Sequence, residues 1–153
     1  GIRQSATGTT EALRADPAEL LRTVPLFAPI PADQFARLAE LLEHQTIPAG
    51  TSIVRQGGKG DALYLVARGV VRVSRSEPDG EERDLATLFA GDFFGEMALL
   101  TGEPRTATCR AVTPCVVYRL RRSDFDEVRR AHPSIQEALA EVERERREQL
   151  TRG

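Results

Sequence analysis

The stretch Phe93-Phe94-Gly95-Glu96-Met97-Ala98-Leu99-Leu100-Thr101-Gly102-Glu103-Pro104-Arg105-Thr106-Ala107-Thr108 sets one turn of helix formers between two β-rich runs. Gly95 permits a backbone conformation that other residues resist. The helix formers Glu96 to Leu100 follow it directly. A short helix after a tight glycine turn aims backbone N–H groups at whatever lies before it, which is an anion-binding arrangement. Arg105 comes nine residues after Glu96, beyond a Gly-Glu-Pro turn that can fold the chain back onto the same anion. A guanidinium grips a phosphate through two parallel N–H bonds, and a lysine ammonium does not. An ionised Glu96 only accepts hydrogen bonds, so it suits a sugar hydroxyl beside that phosphate. The residues together read as a small phosphate-plus-ribose clamp.

Outward from this stretch, residues 47–120 are short β-rich runs cut by turn signals. The turns are Pro48-Ala49-Gly50, Gly57-Gly58-Lys59-Gly60, Arg68-Gly69, Pro78-Asp79-Gly80, Ala90-Gly91 and Thr113-Pro114. Strands are expected over 52–56, 62–67, 70–74, 84–88, 106–112 and 115–120. Alternation is clear in Leu63, Leu65 and Ala67, and in Val71 and Val73. Many short strands at this spacing predict a sandwich or small barrel.

Helices flank the strands. Asp16-Pro17-Ala18-Glu19 combines an Asp cap, Pro at the first helical position and a Glu to close a capping box, with Pro25 ending the helix. Pro29 and Pro31 precede a second helix whose Phe35, Leu38, Ala39 and Leu42 repeat at helical spacing. Ser123 is expected to cap a helix from Asp124 to Ala131, and His132-Pro133 to break it. A last helix runs from Ser134 towards Leu150. Residues 1–15 are polar and unpatterned and read as a linker or disordered arm. The fold class is therefore α+β: an antiparallel β-roll or jelly-roll of about eight strands (45–122), N-terminal helices (16–44) and two C-terminal helices (123–150), all in one domain over 16–153.

Composition excludes several functions. At 153 residues the chain is the size of one domain. With 41% hydrophobic and 29% charged residues it is globular rather than disordered, and no apolar run is long enough to cross a bilayer. No signal peptide is visible, and two cysteines make no disulfide framework, so a reducing cytosol is expected. A net charge of −2 carries no nucleic-acid footprint. Lys59 is the only lysine among 21 basic residues, which reflects codon composition rather than function. His44 and His132 fall outside the strand run, expected at helix ends, so a histidine-based metal centre or catalytic triad has nothing to build on. Cys109 and Cys115 read as packed strand residues. The arginines 144, 146 and 147 alternate with glutamates, as on a solvated helix face.

Phe94-Gly95-Glu96-Met97-Ala98-Leu99 and Pro104-Arg105-Thr106-Ala107-Thr108 resemble the phosphate-binding cassette of the cyclic nucleotide-binding domain family. The glycine turns Gln56-Gly57-Gly58-Lys59-Gly60-Asp61, before Leu63-Tyr64-Leu65, and Gly69 are similar to that family's as well. Gly58-Lys59 stands where the family often has an acidic residue, a departure expected to bear on a hairpin and not on the ligand site. The resemblance implies that Glu96 binds the ribose 2′-hydroxyl and Arg105 the cyclic phosphate. It implies help from the backbone N–H groups of Gly95, Glu96, Met97, Thr106 and Ala107, with Phe94 and Ala98 in the same cassette. Thr106 would touch base or phosphate, and Val73 and Leu88 would line the base pocket.

The last helix is implied to act as a lid. Ile135, Leu139 and Val142 mark its inward stripe, which continues to Arg146 and Leu150; these two are the expected base-contacting residues, although Arg146 paired with Glu143 on the surface fits the pattern as well. The ligand expected is cAMP or cGMP, with no metal and no catalysis. The expected partner is an attached effector, a bacterial inner-membrane ion channel preceding residue 1, with the domain on the cytoplasmic side and in no direct contact with nucleic acid or membrane. A transcription regulator whose helix-turn-helix lies outside this sequence, a kinase and a transporter are the alternative parents.

Overall fold

The computed structural model describes residues 16–137 together with Ala140, Glu141, Arg144 and Glu145. Asp16 caps α1 (Pro17–Arg22) by accepting a hydrogen bond from the Ala18 N–H at 3.0 Å, with Pro17 at the first helical position. A 3₁₀ turn (Pro25–Phe27) and α2 (Ala32–Glu40) follow. The apolar spacing of α2 buries Phe35 and Leu38, and Arg22 lies over the Phe35 ring at 3.8 Å.

Eight strands then build two antiparallel sheets: β1 (Glu43–Ile47), β2 (Ser52–Val54), β3 (Ala62–Arg68), β4 (Val71–Ser76), β5 (Glu82–Leu88), β6 (Phe93–Phe94), β7 (Thr108–Ala111) and β8 (Cys115–Arg121). One sheet has the order β1-β8-β3-β6 and the other β2-β7-β4-β5. Between β6 and β7 lies the short helix α3 (Glu96–Thr101), and α4 (Arg122–Ala131) follows β8.

β3 holds the molecule together because both of its faces are covered. Leu63, Leu65 and Ala67 join one apolar cluster with α1, α2, α3 and α4, where Phe27 and Phe125 meet edge to face at 5.8 Å. Ala62, Tyr64 and Val66 point the other way, into the core between the two sheets, with Val71, Cys109, Ala111, Cys115 and Val117. Period-two alternation sends successive residues to opposite faces. Here each face finds its own apolar partner, so β3 is buried over all but its last residue.

Three expectations need correction. The N-terminal helical region ends at Glu40, and β1 begins at Glu43, so His44 lies in an edge strand rather than at a helix end. Glu43-His44-Gln45-Thr46 carries no apolar alternation; it is a strand because β8 pairs with it from Arg119 to Cys115. Ser123 is not a cap. The ladder of β8 runs to Arg121 opposite Ala62, and the next N–H, of Arg122, donates to Asp61 O at 2.8 Å. The chain thus passes from strand into helix with that donor already satisfied, two residues before the expected start. Finally, β2 and β7 are shorter than expected, ending at Val54 and beginning at Thr108.

His132 breaks α4 with an extended backbone, and residues 133–137 are helical again, Ile135 packing into the helical cluster. Leu139, Val142, Arg146 and Leu150 lie outside the described residues.

Candidate functional site

Gly95 follows β6, and its φ of +86° and ψ of 17° turn the chain into α3. That helix is anchored from below: Ala98, Leu99 and Leu100 are buried, while Glu96 and Met97 are half-buried at its start. Gly102, at φ +69°, closes it and sends the chain through Glu103 and Pro104 to Arg105. The result is a cavity of about 410 Å³ between α3, the following loop and the inner face of β2, β4 and β7.

The Arg105 side chain is 7% exposed, an unusual burial for a guanidinium. Its Nη2 donates to Ala62 O at 2.7 Å and its Nε to Lys59 O at 3.2 Å. Asp61 Oδ1 lies 4.0 Å from Nη2, with its carboxylate mostly in solvent. Nη1 packs against Gly95, where a Cβ would collide with it and would also stand 2.8 Å from Ala62 O. Gly95 is therefore required twice, for its backbone angle and for the room it leaves. Tyr64 supports the group from below, its ring 5.8 Å from the guanidinium carbon and stacked on Phe94 at 5.1 Å.

The backbone of Arg105 is fixed as firmly. Gly57 N–H donates to Arg105 O, and Arg105 N–H donates to Gly58 O, both at 2.8 Å. Gly60 packs so closely on the loop that a Cβ there would run into Glu103 O. The turn Gly57-Gly58-Lys59-Gly60 is thus part of the site, holding the arginine by main chain and side chain together. The contacts from Gly58 and Lys59 are main-chain oxygens, so the turn matters to the site through its backbone path rather than through the departure in side chain at that point.

Of the residues singled out in the sequence, Val73, Phe94, Gly95, Glu96, Met97, Ala98, Arg105, Thr106 and Ala107 all line the one cavity. Leu88 does not: it sits opposite Val71 and packs among the inter-sheet residues. Arg146 and Leu150 lie outside the described residues. Sequence reasoning missed Val54, Thr101, Glu103 and Cys109, which also line the cavity. Thr101 and Glu103 flank Gly102 in the stretch already singled out. Val54 and Cys109 are paired across β2 and β7, a register no local pattern reveals.

Arg105, Glu96 and Glu103 give the cavity a charged side, and Val54, Val73 and Cys109 give it an apolar one. Burial pushes the Cys109 thiol up to about 11, against a smaller downward pull from Arg105, so the cavity floor is neutral. Among the described residues no cluster of three or more His, Cys, Asp or Glu side chains is placed to hold a metal ion. No helix among them is long and apolar enough to cross a membrane.

The family model described as "Cyclic nucleotide-binding domain" matches residues 44–132. A cyclic nucleotide-gated potassium channel of Mesorhizobium japonicum is 36% identical over 129 residues, covering 84% of this chain and 34% of the channel. The N-terminal domain of a transcriptional regulator from Streptomyces coelicolor is similar in structure, with a TM-score of 0.75 and 34% identity, over 85% of this chain and 94% of that one. The regulatory domain of Toxoplasma gondii PKA, in co-crystals with cAMP, superposes at a TM-score of 0.68 with 29% identity, over 91% of this chain and 52% of that one. The chain spans between 11% and 35% of the length of the curated relatives set beside it.

Proposed function

The chain belongs to the cyclic nucleotide-binding domain family, and from that premise we propose that it is the sensor of a longer protein: it binds cAMP, tolerates cGMP, and passes occupancy to an attached effector. The observation that carries this reading is the position of Arg105. Its guanidinium is buried on a cavity wall against Gly95, one residue from the Glu96 carboxylate. Two backbone carbonyls hold its Nε and Nη2, so the group is orientated before ligand arrives. A cavity of this size falls within the roughly 300–1,000 Å³ of small-molecule sites.

In this reading the cyclic phosphate pairs with Arg105 and with the N–H groups of Gly95, Glu96, Met97, Thr106 and Ala107. Glu96 accepts from the ribose 2′-hydroxyl. Val73 and Ala107 flank the base. The Thr106 hydroxyl serves phosphate or base, and a guanine contact there would raise the standing of cGMP. Cyclic AMP is favoured; the similar Toxoplasma regulatory domain was co-crystallised with it. Arg146 and Leu150 complete the proposal as the lid contacts to the purine. A ligand shifts a lid only by binding one position of it more tightly than the other.

The effector proposed is a bacterial inner-membrane channel, with this domain on the cytoplasmic side, on the likeness to the Mesorhizobium channel over 84% of the chain. The likeness to the Streptomyces regulator supports a transcription regulator as the second reading. Calorimetric titration of both cyclic nucleotides, beside a melting curve, tests the sensor itself. A ligand bound only by the native state adds RT ln(1 + [L]/Kd), about 2.7 kcal/mol at a hundredfold excess over Kd. Absence of heat and an unmoved melting curve with both nucleotides at millimolar concentration would overturn the reading.

A further inference from the structure

The nucleotide cavity uses the inner face of the sheet β2-β7-β4-β5; the outer face carries a second, unrelated pattern of charge. Val73 and Cys109 point inward, and their neighbours Arg72 and Arg110 point outward, directly opposite one another across β4 and β7. Arg55 lies beside them, just past the end of β2, and Glu82 and Asp84 of β5 close the other end. The five charges border one shallow concavity of about 730 Å³, and all five residues are exposed.

Like charges directly opposed on neighbouring strands repel and weaken the pairing. Such a pair is ordinarily relieved by a carboxylate on the same face. Here Arg55, Arg72 and Arg110 make no ion pair or side-chain hydrogen bond with any described residue. Asp84 and Glu82 stand opposite Ser74 and Ser76, a step along the strand from the arginines, and they too make no ion pair among the described residues. The face is therefore divided, with its basic half on β2, β7 and β4 and its acidic half on β5.

That division selects the partner. A uniformly acidic peptide or a nucleic acid would be drawn to the arginines and repelled by Glu82 and Asp84. A two-fold rotation, in contrast, sets the basic half of one copy on the acidic half of the other, twice over, as an isologous interface demands. Val112, 41% exposed at the border of the same concavity, adds an apolar contact. We propose that this outer sheet face, with Arg55, Arg72 and Arg110 against Glu82 and Asp84, is a self-association surface on which a second copy of the chain docks about a two-fold axis.

Sedimentation velocity over a concentration series, at about 50 mM and about 500 mM salt, tests this, because exposed charge pairs are screened over that range. The chain should form a dimer at low salt, with its dissociation constant raised at least about tenfold at high salt. Arg72→Glu with Arg110→Glu should be monomeric, and so should Glu82→Arg with Asp84→Arg. An equimolar mixture of the two reversed variants should associate again, since each then carries what the other lost. Should a reversed variant fail to melt cooperatively, the neutral pairs Arg72→Gln with Arg110→Gln, and Glu82→Gln with Asp84→Asn, replace it and should be monomeric. A wild-type chain that stays monomeric, whatever acidic peptide or nucleic acid it captures, overturns the proposal. So do folded variants that still dimerise, or folded reversed variants that fail to associate when mixed.

Discussion

Arg105 occupies the space in which a side chain at position 95 would stand: its Nη1 packs against Gly95, which is itself at φ +86°. The arginine and the turn that opens α3 are therefore one mechanical unit, with Ala62 O beneath both. Gly95→Ala must strain the backbone and also push the guanidinium aside. A residue held in a sparsely populated conformation costs on the order of 1–3 kcal/mol. We expect a stability loss in that range by denaturant unfolding, and at least a tenfold loss of nucleotide affinity by calorimetry. A variant that keeps full affinity would uncouple the turn from the arginine.

Arg105→Ala is expected to lose more affinity than Glu96→Ala. In the proposed mode the cyclic phosphate keeps its charge on binding, and without Arg105 only backbone dipoles would face it. A hydrogen bond to a charged group contributes about 1.5–3 kcal/mol, so tenfold to more than a hundredfold in Kd is expected for the arginine. In the proposed mode Glu96 accepts from a hydroxyl, a contact that water can partly replace. Arg105→Lys should recover little, because one ammonium cannot donate to Lys59 O and Ala62 O and still grip a phosphate. Equal or reversed losses in two folded variants would reverse the roles assigned.

The order of helices and strands was legible because Pro, Gly and Asp mark the turns chemically, as at Asp16-Pro17 and Pro78-Asp79-Gly80. The stretch from Phe94 to Ala107 was legible as one constellation because its chemistry is local to a single loop and helix. The first strand was not, since Glu43 to Thr46 owes its conformation to β8, about seventy residues away in sequence. Nor was the grip on Arg105, because its acceptors are the main-chain oxygens of Lys59 and Ala62, which any residue would supply. Leu88 was expected in the base pocket from the family resemblance alone, not from any pattern in its own segment. The pairing of β5 with β4 sets it opposite Val71, among the inter-sheet residues instead.

The glycine turn yields a prediction remote in sequence from the cavity helix. Gly60→Ala places a Cβ against Glu103 O, and the loop that carries Arg105 must retreat. The hydrogen bonds of Gly57 and Gly58 to Arg105 run through the same turn. We expect Gly60→Ala to weaken nucleotide binding at least tenfold while the far-ultraviolet circular dichroism stays native. Lys59→Ala, which keeps the main-chain oxygen, should leave affinity within about twofold, since an exposed side chain away from such features changes little. Loss of affinity in Lys59→Ala equal to that in Gly60→Ala would mean that the lysine side chain, not the turn, is what the site requires.

The Glu43 carboxylate tests the edge strand. Burial alone would raise its pKa, but hydrogen bonds from Arg119 and Arg121, at 2.9 and 3.0 Å, outweigh that and hold it below 4.5. A depressed carboxylate contributes stability that is present above its unfolded pKa and is lost as pH falls through the folded one. Its side chain is 39% exposed, so solvent screens the pairs and the whole contribution stays below about 1 kcal/mol. Glu43→Gln should therefore cost little at pH 7 and flatten the acid limb of the stability curve below about pH 4.5. An unchanged acid limb would show that the contact to Arg119 and Arg121 does not persist in solution.

Cys109 gives the opposite sign at the other end of the pH scale. Burial on the cavity floor raises its thiol from 9.0 to about 11, because a thiolate there would lose its hydration. Below pH 9 the thiol is protonated in the folded and the unfolded chain alike, and its contribution to stability is fully present. Between about pH 9 and 11 the unfolded chain releases the proton while the folded chain retains it, so stability falls as pH rises through that window. A tenfold difference in proton affinity between the two states is worth about 1.4 kcal/mol, which bounds the loss at roughly 3 kcal/mol. Other groups titrate in the same range, so the informative quantity is the difference in slope between wild type and Cys109→Ala. The variant also removes packing atoms and lowers stability at every pH; only the slope reports the proton. Iodoacetamide should modify Cys109 slowly at pH 8, where little thiolate exists, and more slowly still with cyclic nucleotide covering the cavity. Rapid modification at pH 8, unaffected by nucleotide, would place the thiol outside the ligand's reach and would remove Cys109 from the floor of the site.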